Sequence, residues 1–417
     1  MLVGAAVGAI AGLLLHHFFA ETQGLALFLD YVTVPVGQVF LRSLFMLVMP
    51  LVFAALVMGV CELDLSTLAR IAVRTLTYTV AVSVIAVFIG LATVNAIQPG
   101  RLGKPDLGTV PAVAVDLGGP SDKSFISVLV EMIPDNPIKA AANGDILAWL
   151  LFSLVFGIGL SLTQTEGAKN LRQTIQGLYD VLMRLIAVVL KLGPIGVCAL
   201  LMTAMARMGT DMLGRIGAYS GTVILALAIH MFVVYPAVLW FFARKNPIAF
   251  FRESKAAILT AFSTASSSAT LPTALRVAEE DLKLPRDISR FVLTAGSTMN
   301  QNGSALFEGV TVLFLAQAYD VPLTLGQQLL VLVICVLAGI GTAGVPAGTI
   351  PVLAMMLRML NIPPEGLGII LGVDRLLDMC RTTLNVTGDL VAAVYVASGE
   401  KQAAVITGDV ARAGSAQ

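Results

Sequence analysis

Residues 263–272 read Ser263-Thr-Ala-Ser-Ser-Ser-Ala-Thr-Leu-Pro272, a run of hydroxyl side chains that interrupts an apolar segment and ends at a proline. Basic clusters flank this segment on both sides, at 244–255 and at 276–290. Lys and Arg in short loops collect on the cytoplasmic side of a membrane, so both flanks belong to the same side. A segment that leaves and returns on one side is re-entrant, and its polar backbone is tolerated only inside protein or beside a water-filled cavity.

The composition indicates a polytopic membrane protein. The chain has 417 residues, of which 57% are hydrophobic and 12% are charged, and its mean hydropathy is +0.89. Soluble domains have about 25% charged residues, so a soluble enzyme is excluded. Lys plus Arg and Asp plus Glu both total 26, which leaves no basic excess to attract nucleic acid or an anionic membrane surface. The four cysteines lie far apart in or beside apolar runs and are interpreted as small buried thiols.

Apolar runs near the ~20 residues that a spanning helix needs set the topology. They cover roughly 2–20, 34–60, 71–97, 145–163, 178–206 and 217–243, with further stretches from 257 onward. The first is interpreted as a retained span, because it has no basic n-region or clear cleavage site; the N-terminus is expected to be slightly trimmed or unusually short. The distribution of Lys and Arg predicts cytoplasmic termini and makes 98–144 the long external loop.

A second broken segment occurs at 326–360. It is interrupted by Gly339-Ile-Gly-Thr-Ala-Gly-Val-Pro-Ala-Gly-Thr-Ile-Pro351 and has little positive charge on either flank, so it is expected to be re-entrant from outside. Two broken segments, one from each side, are typical of a transporter with a binding site at the membrane midplane. The alternative is an ordinary kinked helix whose small residues only allow close packing.

The last span, about 366–398, carries charged and amide side chains along its length. They are Asp374, Asp378, Arg381, Asn385 and Asp389. At about 100° per residue they lie in a stripe roughly 80° wide. Charges inside a bilayer are costly and normally face a protein interior or a water-filled cavity. A structural ion pair such as Asp378 with Arg381 is the alternative, and it leaves two carboxylates unexplained.

The preceding span, about 288–318, contains Asn300-Gln-Asn-Gly-Ser304 in its middle and Glu308 one turn later. Gly303 and the consecutive amides predict a local unwinding that frees backbone carbonyls. Free carbonyls beside Asp389 suit a desolvated Na⁺, which prefers hard oxygen ligands. Glu308 is a candidate proton carrier, and the alternative is a neutral, hydrogen-bonded glutamate without a transport role.

Four ordered motifs make the chain resemble the dicarboxylate/amino acid:cation symporter family. They are Ser266-Ser-Ser-Ala-Thr-Leu-Pro272, Asn300-Gln-Asn-Gly-Ser304, Gly341-Thr-Ala-Gly-Val-Pro346 and the residues from Asp374 to Asp389. The family includes bacterial and archaeal aspartate and glutamate transporters and the mammalian excitatory amino acid transporters, and the resemblance covers nearly the whole chain.

The resemblance implies an all-α fold of eight transmembrane helices and two re-entrant helical hairpins, assembled as a homotrimer. Spans 1–2 (1–70) and spans 4–5 (145–216) are then scaffold, and 98–144 is the external loop. The transport domain that moves as an elevator comprises span 3 (71–97) and residues 217–417. The latter contain span 6, hairpin 1 (about 250–283), span 7 (about 288–318), hairpin 2 (about 324–360) and span 8 (about 366–400).

The resemblance also implies roles for individual residues around an acidic amino acid. Arg381 matches the residue that binds the substrate side-chain carboxylate, which suits its planar fork. Asp378 matches the residue that takes the substrate ammonium. Further substrate contacts match Thr382, Asn385 and Ser304 (relatives usually have Thr there), and Ser267, Val345 and Gly348 at the hairpin tips.

The coupling ions are Na⁺, H⁺ or both, and no organic cofactor is expected. One sodium site matches Asp389, Asn300 and the carbonyls of Asn385 and Gly296; a second matches Thr298 with carbonyls near Gly339, Ile340 and Thr342. A third site of sodium-coupled relatives is expected to be weak or absent, because Val82-Ser83 and Asn302 replace a Thr-Ser pair and an aspartate. Glu308 matches the glutamate thought to carry the proton in the mammalian transporters.

These residues together predict a secondary active symporter of the inner (plasma) membrane that imports aspartate or glutamate. Carriers of C4-dicarboxylates lack an acid at the Asp378 position, and neutral amino acid carriers lack the arginine at the Arg381 position. A C4-dicarboxylate symporter of the same fold stays open as an alternative. An intramembrane aspartyl protease is disfavoured because Val386 replaces the first glycine of its Gly-x-Gly-Asp signature, and a channel would give no concentrative uptake.

Overall fold

The computed structural model describes residues 2–19, 22–61, 69–102, 133–143, 146–209, 211–341 and 349–414. These residues form helices joined by short connections, and no strand occurs among them. In chain order the α-helices are α1 (Leu2–Phe19), α2 (Gln23–Phe28), α3 (Val34–Cys61), α4 (Ala69–Ile97), α5 (Pro137–Asn143), α6 (Ile146–Leu162), α7 (Glu166–Met208), α8 (Asp211–Ile229), α9 (Tyr235–Ala237), α10 (Pro247–Thr264), α11 (Ser267–Arg276), α12 (Arg286–Met299), α13 (Asn302–Ala318), α14 (Leu325–Gly341), α15 (Ile350–Met359), α16 (Leu367–Leu371) and α17 (Asp374–Gly414).

Four π-helical turns extend these helices. Leu29–Thr33 joins α2 to α3, His230–Val234 and Val238–Phe242 flank α9, and Val277–Asp281 follows α11. Each π turn inserts a residue into the helical ladder, and such turns are frequent at functional sites. The span that begins at α8 therefore continues to Phe242 with two local changes of helical register.

The first helix group contains α1, α3, α6 and α7, which pack against one another. Gly4, Gly8 and Gly12 lie on one face of α1, directly against the backbone of α7. Glycines at this spacing allow two helices in a membrane to approach closely. The aromatic rings of Phe53, Trp149, Phe152 and Phe156 join α3 to α6.

The second helix group contains the remaining long helices and positions the polar residues. Helix α4 packs along α13, and α13 also contacts α14 and α17. The two groups meet where α14 and α15 contact α3 and where α16 contacts α7. Small residues lie at these contacts. A Cβ on Gly59 would lie 3.3 Å from the Ile340 carbonyl oxygen, and one on Gly368 would lie 2.5 Å from the Leu200 Cβ.

The segment predicted as the first re-entrant hairpin forms two antiparallel helices. Helix α10 ends at Thr264, and Ala265 adopts a left-handed conformation with φ 49°. Ser266 then caps α11, because its hydroxyl accepts a hydrogen bond from the Ala269 backbone N–H at 3.2 Å. The hydroxyls of Thr264 and Thr270 lie 3.1 Å apart across the turn. The serine run is therefore a helix-to-helix reversal whose hydroxyls satisfy local backbone groups.

The second predicted hairpin comprises α14 and α15. The Sγ of Cys335 and the Sδ of Met356 lie 3.9 Å apart, which brings the two helices together. The connecting residues 342–348, at the predicted tip, lie outside the described residues, as does 103–132 in the predicted external loop.

Three continuous helical stretches among the described residues are long and apolar enough to cross a membrane: Gln23–Ser43, Arg70–Arg101 and Met212–Phe242. A fourth is the pair Glu166–Val189 and Lys191–Arg207, bent by 50°. Other apolar helices are shorter, among them Val3–Phe19 and Leu325–Ile340. The broken and bent helices shorten the uninterrupted apolar lengths, so the total of eight spans stays a prediction.

Candidate substrate and cation site

The helix predicted as span 7 is interrupted where the sequence indicates unwinding. Helix α12 ends at Met299 and α13 begins at Asn302, with Asn300 and Gln301 between them in non-helical conformations. The Gln301 backbone N–H donates to the Gly339 carbonyl at 3.3 Å, which ties the break to α14. Every residue from 299 to 316 is buried, so this break lies inside the protein.

Arg381 is the centre of a buried charge cluster on α17. Its Nη2 donates to the Asp378 Oδ1 at 2.8 Å and to the Asp374 Oδ1 at 2.9 Å. The Arg381 side chain is 1% exposed, and those of Asp374 and Asp378 are 6% and 11% exposed. The ion pair that was the structural alternative for the stripe is therefore present, and it also includes Asp374. Each buried carboxylate is thus paired with the guanidinium, which lowers the cost of burying it, and the cluster contains one more acid than base.

Two further contacts fix the plane of the Arg381 guanidinium. Its central carbon lies 3.8 Å from the centroid of the Phe307 ring, a cation–π contact. Its Nη1 donates to the Thr349 hydroxyl at 3.3 Å, on the segment that leads into α15. The buried Nε has no hydrogen-bond acceptor among the described residues. A donor thus remains for an added carboxylate.

Asn385 connects α17 to the break before α13. Its Oδ1 accepts a hydrogen bond from the Gly303 backbone N–H at 2.7 Å. Its Nδ2 donates to the Gln301 Oε1 at 2.6 Å and lies 3.3 Å from the Ser304 hydroxyl. A Cβ on Gly303 would lie 2.8 Å from the Arg381 carbonyl oxygen, so a glycine is needed for this close approach. These contacts bring together Ser304, Asn385 and Arg381.

A second acidic position lies one turn farther along α17. The Asp389 Oδ1 accepts a hydrogen bond from the Asn300 Nδ2 at 2.9 Å. Asp389 is 3% exposed and Asn300 is 1% exposed. A Cβ on Gly296 would lie 2.6 Å from the Asp389 Oδ1, so the missing side chain leaves room for the carboxylate. The buried Oδ1 of Asn300 has no donor among the described residues, which makes it a free oxygen ligand beside a carboxylate.

Glu308 lies on α13, on the same helix as Phe307 and Ser304. It is fully buried, and neither of its carboxyl oxygens has a hydrogen-bond partner among the described residues. No hydrogen bond to Glu308 among the described residues supports the alternative interpretation of a neutral, hydrogen-bonded glutamate. An unpaired charge at such a position is expensive, which favours a group that carries a proton.

The remaining predicted site residues are placed around this cluster. Thr382 is buried beside Arg381 on α17, and Ser267 is buried in the first turn of α11, which packs against α17. Thr298 donates its hydroxyl to the Ala295 carbonyl at 3.0 Å in the last turn of α12. Gly339 and Ile340 end α14 beside the break. Thr342, Val345 and Gly348 lie outside the described residues.

The residues aligned with a third cation site form a neutral hydrogen-bonded chain across four helical segments. The Ser83 hydroxyl donates to the Asn302 Oδ1 at 2.6 Å, and the Asn302 Nδ2 donates to the Tyr235 hydroxyl at 3.3 Å. The Tyr235 hydroxyl donates in turn to the Leu384 carbonyl at 3.1 Å. The amide of Asn302 is thus satisfied by protein groups.

Four residues of the site had no role assigned from the sequence. Asp374 shares the Arg381 guanidinium, Phe307 lies under it, Thr349 contacts its edge, and Gln301 holds Asn385. Phe307 lies one helical turn from Ser304 on α13, so the helical period could have indicated that Phe307 faces the same site. Nothing in the sequence indicated Thr349, because its contact crosses between helices.

The fold and the site define a class of protein. The described chain is helical, two of its helical segments reverse or break within the structure, and charged side chains from α17 meet an interrupted α12–α13 helix in the interior. Broken helices around buried polar groups are the architecture of secondary transporters.

Comparison with known proteins gives the family. Residues 1–398 match the model of the sodium:dicarboxylate symporter family. The chain is 32% identical over 416 residues to the proton/glutamate-aspartate symporter of Bacillus subtilis (strain 168), covering 96% of this chain and 94% of the relative. It is 30% identical to excitatory amino acid transporter 1 of Ambystoma tigrinum, covering 94% and 81%. It is 31% identical to the C4-dicarboxylate transport protein of Rhodospirillum rubrum, covering 94% and 87%.

This chain belongs to the sodium:dicarboxylate symporter family. It is a multi-pass membrane transporter and not an enzyme. The family resemblance predicted from the four sequence motifs is confirmed.

Proposed function

We propose that this protein is a secondary active symporter that imports aspartate or glutamate together with Na⁺, H⁺ or both. The observation that carries the proposal is the buried cluster of Arg381 with Asp374 and Asp378, in which the Arg381 Nε is left without an acceptor among the described residues. Such a site offers one small molecule a cationic donor and an anionic acceptor. An acidic amino acid requires both, the donor for its side-chain carboxylate and the acceptor for its ammonium.

Substrate binding would exchange one set of partners for another. In this structure Arg381 and Asp378 are paired with each other at 2.8 Å. An acidic amino acid would place its side-chain carboxylate on the guanidinium and its ammonium on Asp378, so that Arg381 and Asp378 each keep an opposite partner. Since burying an uncompensated charge is costly, this exchange favours ligands that carry both groups. Thr382, Asn385, Ser304 and Ser267 would provide further polar contacts, together with backbone near Val345 and Gly348.

The cation proposal rests on Asp389 and its surroundings. Asp389, the free Oδ1 of Asn300 and the carbonyls of Asn385 and Gly296 would provide an anion and several hard oxygens for one Na⁺. Thr298 with carbonyls near Gly339, Ile340 and Thr342 would form a second site. The neutral chain from Ser83 through Asn302 to Tyr235 supports the absence of a third, because its oxygens already have protein partners.

Glu308 would carry a proton in the same cycle. Its carboxyl group is fully buried and lacks a partner among the described residues, so its neutral form suits the loaded, closed state. Release of that proton on the other side of the membrane would couple uptake to the proton gradient. Coupling by H⁺ alone and coupling by H⁺ with Na⁺ are both compatible with this geometry.

The movement proposed is an elevator. The first helix group (α1, α3, α6 and α7) would be the scaffold, and the second group would carry the site across the membrane. Contact between the groups is confined to a few helices, and Gly59 and Gly368 lie there, which supports a surface along which the groups can slide. Eight spans with two re-entrant hairpins, a homotrimer, and cytoplasmic termini in the plasma (inner) membrane complete the proposal.

A C4-dicarboxylate is the second candidate substrate. The family name and the Rhodospirillum rubrum relative favour it, and Arg381 would serve either ligand. Asp378 argues against it, because its carboxylate would face a second carboxylate of the ligand without an ammonium between them.

The deciding experiment is uptake of labelled L-aspartate into proteoliposomes containing the purified protein. Sodium and proton gradients are imposed separately and then together, with protein-free liposomes as the control. Concentrative uptake under at least one gradient, with competition by glutamate stronger than by succinate, is the expected result. Stronger competition by succinate than by glutamate would make a dicarboxylate, and not an amino acid, the substrate. Uptake that depends on neither gradient would overturn symport.

A further inference from the structure

A half-open cleft lies away from the buried charge cluster, at the end of the second helix group that the predicted topology places outside. It is formed by the end of α4, the end of α13 and the short connection into α14, and its cavity volume is about 140 Å³. About 10–15 Å³ of such space holds one water molecule, so the cleft has room for on the order of ten. That is comparable with the non-hydrogen atoms of a small amino acid.

The cleft carries two opposite charges that do not pair with each other. Arg101 and Asp320 both line it, and both are exposed. Among the described residues Arg101 and Asp320 form no ion pair with each other, and the Asp320 carboxylate has no hydrogen-bond donor. Arg101 donates through Nη1 to the Gln98 Oε1 at 3.3 Å and keeps further N–H groups. A ligand with an anion at one end and an ammonium at the other could therefore contact both.

The amide side chains of the cleft are already engaged with protein groups. Asn95 donates through Nδ2 to the Gln328 Oε1 at 2.8 Å, and Gln328 donates through Nε2 to the Leu323 carbonyl at 3.2 Å. Gln317 donates to the Val94 carbonyl at 3.1 Å and accepts from the Gly100 N–H at 3.3 Å. These bonds hold the amide side chains in the walls, and Arg101 and Asp320 are the charged groups that line the cleft.

The backbone at both rims is held in an uncommon conformation. Gln98 has φ 50° and Asp320 has φ 53°, both in the left-handed region that residues other than glycine seldom adopt. Gln98 directly precedes the short 3-10 turn that contains Arg101, and Asp320 begins the connection to α14. Defined turns therefore set the backbone positions from which the two charged side chains extend.

We propose that the cleft is an external capture subsite for a zwitterionic amino acid, whose carboxylate binds Arg101 and whose ammonium binds Asp320. The choice of an amino acid rests on the proposed function of the buried cluster. A dicarboxylate would bring a second anion toward Asp320, and a simple cation would be repelled by Arg101. A lipid headgroup with a phosphate and an ammonium has the same charge pattern, so the experiment includes it.

The test uses saturation-transfer NMR on the purified full-length protein in detergent micelles, with L-aspartate, glycine, succinate and phosphorylethanolamine as separate probes. The buried cluster is disabled by Arg381→Gln with Asp374→Asn, which removes one charge of each sign. Arg101→Gln and Asp320→Asn are made in this background. Arg172→Gln and Asp135→Asn, at exposed positions elsewhere, are the matched controls.

The expected result is saturation transfer to aspartate and glycine that falls about two- to five-fold with either cleft substitution, and with neither control, as suits exposed charge pairs. Succinate should give the weaker signal. Equal signals in cleft variants and controls would overturn the subsite, and transfer to phosphorylethanolamine alone would assign the cleft to a lipid headgroup instead. Uptake by the wild-type protein tests the proposed function separately, so its failure is distinguishable from failure of the cleft.

Discussion

Arg381 and Asp378 lie one helical turn apart on α17 and are joined by a hydrogen bond of 2.8 Å in the protein interior. The same Nη2 also contacts Asp374. The two side chains proposed to hold opposite ends of the substrate are thus bonded to each other in this structure. Arg381 and Asp378 thus each have an opposite charge beside them, and removing either partner affects both stability and recognition.

Arg381→Ala should weaken aspartate binding by ~30-fold or more, because truncating one partner of a buried charge pair costs about 2–5 kcal/mol. It should also lower thermal stability, since Asp374 and Asp378 lose their shared cation. Binding is measured by calorimetry and stability by thermal unfolding in detergent. Arg172→Ala, at an exposed position on α7, is the control and should bind normally. Unchanged affinity in Arg381→Ala would remove it from the substrate site.

Asp378→Ser should shift the substrate preference from amino acids toward dicarboxylates. The substitution removes the acceptor for the ammonium while the guanidinium of Arg381 stays available. Competition of labelled aspartate uptake by succinate and by glutamate, compared between wild type and variant, measures the shift. If glutamate remained the stronger competitor in the variant, Asp378 would not be the ammonium partner.

Asp389→Asn should weaken the sodium dependence of uptake, because the cation would lose its anionic ligand while the hydrogen bond to Asn300 can be kept. The sodium concentration for half-maximal uptake at saturating aspartate is the measurement. Asp287→Asn, an exposed acid in the first turn of α12, is the matched control and should behave as wild type. A sodium response identical to wild type in Asp389→Asn would contradict the proposed site.

Glu308→Gln should make uptake insensitive to an imposed proton gradient, because the amide mimics the neutral acid but cannot release a proton. In the wild type, acidifying the outside should raise uptake, since protonation there precedes inward movement; the variant should lose this rise. Aspartate exchange across the membrane is measured in parallel and should persist. Glu166→Gln, at a side chain that is 82% exposed, should retain the wild-type pH response.

Gly303→Ala should impair binding without changing any charge. Its Cβ would lie 2.8 Å from the Arg381 carbonyl oxygen and 3.1 Å from the Asn385 Oδ1, so α13 and α17 would have to separate. Overpacking of this kind costs about 1–3 kcal/mol. Gly214→Ala, where nothing lies within 4 Å of the added Cβ, is the control and should be neutral or slightly stabilising. Equal aspartate affinity in both variants would show that the close approach is not required.

The class of protein and most of the candidate site could be predicted from the sequence, because charged side chains and broken backbone are energetically costly inside a membrane wherever they occur. Charged residues are scarce in the chain, so a stripe of them from Asp374 to Asp389 on one helix face has few explanations in a membrane. The serine run near Ser266 and the amides from Asn300 likewise predicted a reversal and a break, and both occur there. These features depend on neighbouring residues along the chain and on helical periodicity.

The pairing of those groups could not be predicted in the same way. Whether Asp378 stood free or bound to Arg381 depended on rotamers that only the packed interior fixes, and the sequence offered both interpretations. Ser83 and Asn302 are 219 positions apart and meet at 2.6 Å because α4 packs along α13. The cleft between Arg101 and Asp320 likewise forms only where the ends of α4 and α13 come together.

By itself the sequence determined that this is a membrane protein with an internal polar site and marked the helices that carry it, because placing charges and broken backbone in lipid is costly wherever they occur. Only the tertiary structure decided which hydrogen-bond partners meet. Arg381 pairs with Asp374 and Asp378, Asn385 bonds to the break before α13, and Asn302 bonds to residues on α4 and α9. The physical reason is that a hydrogen bond requires atoms within about 3 Å, and between distant segments that distance is set by helix packing.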